Sequence, residues 1–239
     1  MTDPYYSDKL ATLYHGDSLD VIDELLLDGL KVDAIIMDPP YASGTRKEAG
    51  KASSGAMLRG ERWAANPIEN DQMTTIGFVW LIRTIVGRLK PHLPAGASVL
   101  SFIDWRQWPN LVGALESCDL RIQGMVVWDK ETMGLGYGFR RQHELICHAS
   151  VGTPTINNKG IPDVLSHRRV SNDDHPSPKP VALMQLLIEA ITVPGDMILD
   201  PFAGSGATLR AAKNLGRRSI GIETVDRHCV VAARSLARV

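Results

Sequence analysis

At 239 residues the chain is long enough for one large α/β domain or two modest ones, and a single core is the simpler reading. Its 44% hydrophobic residues include no run approaching the ~20 apolar residues that span a bilayer, and MTDPYYSDKL lacks the basic opening and apolar core of a secretory leader, so a soluble cytoplasmic protein is expected. Twenty-six Lys and Arg against twenty-seven Asp and Glu give a formal net charge of −1, which leaves any polyanionic partner to a local basic face.

In chain order, the Ala11-Thr12-Leu13-Tyr14 run predicts a strand ending at His15-Gly16-Asp17. Val21, Ile22, Leu25, Leu26 and Leu30 then recur at helical spacing. Residues 32–37 predict a short apolar strand that stops at Asp38-Pro39-Pro40-Tyr41, because two successive prolines continue neither a sheet ladder nor a helix interior. Residues 43–75 have little periodicity and much Gly, Ala, Ser and charge, so a long loop with room for a short helix is expected. A helix over 76–89 follows, on the stripe Val79, Ile82, Val86 and Leu89. Strands are expected at 97–103, 122–128 and 144–149, with a helix at 108–115. An irregular polar segment covers 152–180. The rest predicts a helix at 181–191, a strand at 197–199, a glycine turn, a helix at 208–215, a strand at 219–222 and a last helix ending near Leu236.

Seven strands separated mostly by helices predict a doubly wound sheet covered on both faces, with ligands outside the carboxyl ends of its strands. Cys118, Cys147 and Cys229 stand far apart, without disulfide-framework or zinc-ligand spacing, and are expected to be reduced and at least partly buried.

Ile198-Leu199-Asp200-Pro201-Phe202-Ala203-Gly204-Ser205-Gly206 reads as a strand running through a glycine turn into a helix. It matches neither G-x-G-x-x-G nor a phosphate loop with its lysine, which disfavours a diphosphate ligand. About twenty residues on, a strand ends at Gly221-Ile222-Glu223, where a carboxylate is placed to accept from both hydroxyls of a ribose. Turn and acidic tip together point to a nucleoside-bearing ligand.

Asp38-Pro39-Pro40-Tyr41 upstream of Asp200-Pro201-Phe202-Ala203-Gly204-Ser205-Gly206 resembles the paired signatures of the S-adenosylmethionine-dependent amino-methyltransferases of DNA, in the motif order of their beta group. His175-Pro176-Ser177-Pro178-Lys179-Pro180 is similar to the family segment flanking the methionine end of the cofactor. Tyr14-His15-Gly16-Asp17 is similar to the acidic segment near its adenine edge. Val127-Trp128, Gly134-Leu135-Gly136-Tyr137 and Arg140-Arg141-Gln142-His143-Glu144 resemble later motifs lining the target pocket.

The resemblance covers nearly all of the chain. It implies a circularly permuted, Rossmann-like methyltransferase fold: a mostly parallel seven-stranded sheet with the last strand antiparallel. It implies one methyltransferase domain over 1–239, with a short target-recognition insert at about 152–174. It also implies S-adenosylmethionine as cofactor, double-stranded DNA as partner, a homodimer as in many members, and no metal. Asp38, Pro39, Pro40 and Tyr41 take the catalytic positions. Asp17, Lys179, Asp200, Phe202, Ala203, Gly204, Ser205, Gly206 and Glu223 take the cofactor positions.

The chemistry follows from the residue types. The exocyclic amine of adenine is a poor nucleophile because its lone pair is delocalised into the ring. Asp38 and the Pro39 carbonyl can each accept one of its N–H groups and favour a tetrahedral nitrogen facing the sulfonium methyl. Tyr41 offers an aromatic face to a base rotated out of the duplex. Arg140 and Arg141 beside Tyr137 and Phe139, Arg168 and Arg169, and Arg59 and Arg62 are candidate DNA contacts. Trp80 is a candidate for core or interface.

Aspartate at the first motif position resembles adenine-directed members, so N6-adenine transfer is the leading expectation. Cytosine-N4 transfer, with the same geometry, is the runner-up. An RNA substrate, which would demand contacts to the 2′-hydroxyl, and a non-catalytic nucleic-acid-binding protein stand further off.

Overall fold

The computed structural model describes residues 3–41, 73–134, 137–170 and 178–239. Of the expected 43–75 loop only 73–75 fall among them. Arg59, Arg62, Leu135, Gly136 and His175, Pro176 and Ser177 lie outside.

The chain order is β1 Tyr6–Ser7, β2 Ala11–His15, α1 Ser18–Leu27, β3 Ala34–Met37, α2 Thr75–Leu89, β4 Ser98–Ile103, α3 Trp108–Glu116, β5 Arg121–Asp129 and β6 His143–Ser150. It continues with β7 Val164–Ser166, α4 Val181–Ile191, β8 Met197–Asp200, α5 Ala207–Asn214, β9 Arg218–Glu223 and α6 Asp226–Leu236. All seven expected strands are present. β1 and β7, two and three residues long, are additions too short to show any periodicity. β7 lies in the expected recognition insert and lengthens the sheet beside β5.

The sheet runs β1-β2-β9-β8-β3-β4-β6-β5-β7. β2, β9, β8, β3 and β4 are mutually parallel. β6 is antiparallel to both of its neighbours, β4 and β5, and is the last of the seven before the chain crosses into its glycine-turn half. This is the mostly parallel, permuted methyltransferase fold that the motif order implies.

Alternation of side chains along the strands builds a core on each face. Ile35 and Met37 of β3 pack with Ile22 of α1, Ile82 and Ile85 of α2 and Leu111 of α3. Ala34 and Ile36, pointing the other way, pack with Leu183 and Leu187 of α4 and Ala211 of α5. α6 lies beside α5, with Cys229 and Ala232 against Leu13 of β2 and Leu209. Trp80 is not core: it is 58% exposed on the outer side of α2. Cys147 and Cys229 are free and buried, and Cys118 is free and partly buried.

The topology brings one set of ends to one rim. The parallel strands deliver their last residues there: His15, Glu223, Asp200, Met37 and Ile103. Because β6 runs the opposite way, it delivers its first residues to the same rim, with Leu145 opposite Ile103 and Glu144 opposite Trp128.

Candidate active site

At the end of β8 the Asp200 carboxylate accepts the Phe202 amide at 3.0 Å, and the chain turns through Gly204 (φ +51°) and Gly206 (φ +79°) into α5. Gly206 is fixed by more than its backbone angle, since a Cβ there would stand 2.9 Å from the Ala232 Cβ. At Gly221 a Cβ would come within 2.7 Å of Leu209 and 2.9 Å of Ala203, so a bare backbone lets β9 approach the turn.

Glu223 reaches across this turn. Its Oε2 accepts the Gly204 amide at 2.8 Å and its Oε1 the Val225 amide at 2.8 Å, with His228 Nδ1 3.5 Å from Oε1. Burial pushes this carboxyl up, but His228 and the two amides outweigh it and hold the group below its usual range. Asp17 sits on the adjoining strand tip as the N-cap of α1, accepting the Leu19 amide at 2.8 Å. The Gly16 amide donates to the Glu223 carbonyl at 3.0 Å, and the Ser18 hydroxyl to the Pro201 carbonyl at 2.5 Å. These bonds tie the tips of β2 and β9 to the turn. Asp200 is buried, and burial raises its carboxyl to about 7 against the opposing pull of the Thr208 hydroxyl and the Phe202 amide.

Beside the turn, β3 ends in the tetrapeptide. Pro39 is buried, while Asp38, Pro40 and Tyr41 are partly exposed. The Tyr41 hydroxyl lies 2.5 Å from Asp38 Oδ1 and 3.2 Å from Glu144 Oε2. Lys179 is 8% exposed, so it is no surface charge. Its ammonium pairs with Asp38 Oδ2 and lies 3.3 Å from Glu144 Oε2, 5.0 Å above the Phe102 ring. Glu144 Oε1 pairs with Lys130, which sits 5.3 Å above the Trp128 ring.

The charges of this cluster are settled by their neighbours. Burial raises the Tyr41 hydroxyl well above its usual range, and Asp38 and Glu144 add to that effect. Burial lowers the Lys179 ammonium, but Asp38 and Glu144 more than reverse it. Burial likewise pushes Glu144 up, and Lys179 and Lys130 bring it down to about 2. A carboxyl depressed in the folded state adds stability above its unfolded value, and that contribution disappears as the pH falls through the folded one. Thermal unfolding should therefore show a Glu144-dependent loss of stability between pH 4.5 and about 2, flattened in Glu144→Gln.

Asp38, Phe102, Lys179, Asp200, Phe202 and Ser205 line one cleft that is partly open to solvent. The structure thus brings the tetrapeptide and the glycine turn together, with Asp17 and Glu223 along the same rim. Glu144 belongs to a segment whose resemblance placed it at the target pocket, without an individual role, and Lys130 had no assigned part. The signal for Glu144 was a lone carboxylate opening the apolar strand His143–Ser150.

Next to the cleft, the segment joining β5 and β6 carries Tyr137 and Phe139 fully exposed. Arg140 is held by the Gly134 carbonyl at 2.8 Å, and Arg141 lies 3.2 Å from Asp104. Arg168 and Arg169, just past β7, are exposed.

A doubly wound sheet in this strand order, with a glycine turn, an acidic strand tip and an Asp-Pro-Pro-Tyr exit on one rim, is the architecture of an S-adenosylmethionine-dependent methyltransferase. The sequence model of the DNA methylase family (N6/N4 methyltransferases) matches residues 157–234. The putative methylase YubD of Escherichia coli (strain K12) is 31% identical over 211 residues, covering 88% of this chain and 84% of that one. The Type II methyltransferase M2.LlaDCHI of Lactococcus lactis subsp. cremoris is 26% identical, over 99% of this chain and 93% of its own. Among solved structures, the complex of M1.HpyAVI with S-adenosylmethionine superposes with a TM-score of 0.71 at 23% identity, covering 95% of this chain and 99% of that one. The cytosine-N4-specific PvuII DNA methyltransferase superposes at 0.74 with 14% identity, covering 98% and 89%. The chain belongs to the N6/N4 DNA methyltransferase family, whose members use S-adenosylmethionine. Among the described residues no helix is long and apolar enough to cross a membrane.

Proposed function

We propose that this protein transfers the methyl group of S-adenosylmethionine to the exocyclic N6 amine of an adenine flipped out of double-stranded DNA. One observation carries the proposal: Asp38, the acceptor for the amine, and the turn that would hold the cofactor line a single cleft. The side chains fit that cofactor. Asp38 and Asp200 line the cleft, Asp17 and Glu223 stand on the adjoining strand tips, and the turn has only small side chains between Phe202 and Ala207. Such a surface suits hydroxyl donors and a cationic ligand and repels a diphosphate.

Glu223, Asp17 and the turn from Asp200 to Gly206 would hold S-adenosylmethionine, with Lys179 at the methionine end of the cleft. When bound, the cofactor supplies a methyl group on a positive sulfur that leaves as a neutral thioether. Asp38 accepts one N–H of the target amine and the Pro39 carbonyl the other, turning the nitrogen lone pair toward the methyl carbon. Pro40 fixes the backbone that presents this carbonyl, and the Tyr41 ring stacks on the flipped base. The amine loses a proton after transfer, so no strong base is needed.

Tyr137, Phe139, Arg140, Arg141, Arg168 and Arg169 form the proposed DNA face, and membership of the DNA methylase family supports DNA as substrate. Stacking on an exposed aromatic contributes ~1–3 kcal/mol, so the Tyr137→Ala/Phe139→Ala double variant should raise KM for DNA roughly 10- to 100-fold. Because neither ring is buried, its melting temperature and cofactor affinity should not change.

The deciding experiment digests unmethylated duplex DNA, treated with enzyme and S-adenosylmethionine, to nucleosides and identifies the methylated base by mass spectrometry, with matched RNA alongside. N6-methyladenine from DNA is the expected product. N4-methylcytosine would keep the mechanism and change the base; methylation of RNA alone, or of neither, would overturn the proposal.

A further inference from the structure

The proposed chemistry requires a free acceptor on Asp38, yet both of its oxygens are engaged: Oδ1 by the Tyr41 hydroxyl at 2.5 Å and Oδ2 by the Lys179 ammonium. Each oxygen keeps a second lone pair, but a hydrogen bond already made there weakens it as an acceptor, and releasing one gives the target amine a full acceptor. Lys179 is poorly suited to move. It is buried between two carboxylates under the Phe102 ring, and leaving Asp38 would strip a buried ammonium of one of its two counter-charges. The Tyr41 hydroxyl has a single proton to donate and a second acceptor already in range, Glu144 Oε2 at 3.2 Å. A small swing of the phenol transfers the hydrogen bond while the ring keeps its place.

Glu144 is held ready to receive it. Its other oxygen is pinned by Lys130, which sits over the Trp128 ring, and Trp128 is anchored by its indole N–H donating to the His167 carbonyl at 2.7 Å. Two lysines keep the carboxylate ionised, and so a strong acceptor. A buried ammonium held between two carboxylates is a costly way to stabilise a fold, since an apolar side chain of similar volume often does as well.

We propose that Glu144 is a positioning residue for methyl transfer: it takes over the Tyr41 hydroxyl and so clears Asp38 Oδ1 for the target amine. This rests on the methyl-transfer reaction proposed above.

The test is a double-mutant cycle on intact protein with unmethylated duplex DNA. Wild type, Glu144→Gln, Tyr41→Phe and the double variant are compared for kcat, KM for DNA, S-adenosylmethionine affinity and melting temperature. Glu144→Gln leaves a neutral, weaker acceptor, so kcat falls about 30-fold with cofactor affinity unchanged, within the range of coupling between contacting groups. Tyr41→Phe removes the hydroxyl that competes with the amine for Asp38 Oδ1, so alone it costs only a few-fold. In that background Glu144→Gln also costs only a few-fold. Equal losses in both backgrounds, or full activity in Glu144→Gln, would overturn the proposal and leave Glu144 a structural ion pair.

If Glu144→Gln does not fold, Glu144→Asp carries the test. It keeps the charge facing both lysines but draws the carboxylate back by one methylene from the Tyr41 hydroxyl, so kcat must fall with Tyr41 present and recover with Tyr41→Phe. Wild-type enzyme that methylates no duplex overturns the underlying reaction. Wild-type enzyme that does so, beside an indifferent Glu144→Gln, overturns only the role of Glu144.

Discussion

Asp38→Ala should lower kcat for methyl transfer by about 10³-fold, roughly 4 kcal/mol of barrier, while S-adenosylmethionine still binds. The amine is deactivated by its own ring, and the chain offers it two acceptors, one a backbone carbonyl that no substitution removes. The carboxylate is the other, and its contribution grows as the nitrogen becomes tetrahedral and acquires charge, which places its effect in kcat and not in binding. Lys179 keeps Glu144 as counter-charge at 3.3 Å, so the variant should fold with a reduced melting temperature. Asp38→Asn sharpens the test. It preserves volume and one acceptor oxygen but turns an amide toward Lys179 or Tyr41, and a heavy loss is expected there too. Mass spectrometry of the DNA product and calorimetry of cofactor binding read the two effects separately. An Asp38→Ala enzyme with kcat near that of wild type would remove Asp38 from the mechanism.

The second large effect is expected at Glu223, in binding instead of turnover. Two hydrogen bonds from ribose hydroxyls to a charged acceptor, each contributing about 1.5 kcal/mol or more, make the expected rise in Kd for S-adenosylmethionine about 100-fold in Glu223→Ala. The same carboxylate fixes the Gly204 amide at 2.8 Å, so its removal also loosens the turn. Glu223→Gln retains the shape and one acceptor and should fall between the two. At saturating cofactor both variants should recover most of kcat, because Glu223 lies away from the transferred group. A Kd unchanged in Glu223→Ala would displace the cofactor from this strand tip. Since the Glu223 carboxyl is held below its usual range, its own contribution to cofactor binding should persist well into the mildly acidic region.

Much of this was legible in the residues. The apolar runs of β3, β4 and β8 and the stripe of α2 are long enough for their periods to show, and the structure has each within a residue or two. The turn glycines were legible as a strand-to-helix turn, but that Gly206 must clear Ala232 by 2.9 Å and Gly221 must clear Leu209 by 2.7 Å came from the packing. Asp38, Asp200 and Glu223 stood out as carboxylates closing apolar strands. β1 and β7 were invisible because two or three residues carry no period.

By itself the sequence determined the doubly wound class, the motif order and the carboxylates at the strand tips, because these depend on neighbours within a few residues. Tertiary structure decided what surrounds Asp38. Residues 38, 130, 144 and 179 lie far apart in the chain, and nothing local marks Lys179 as buried or Glu144 as facing the tetrapeptide. Their meeting depends on the direction of β6: antiparallel, it brings its first residues to the rim where its neighbours bring their last. The side-chain alternation of a strand is the same in either direction, so the pattern of His143–Ser150 could not reveal which of its ends faces the cleft.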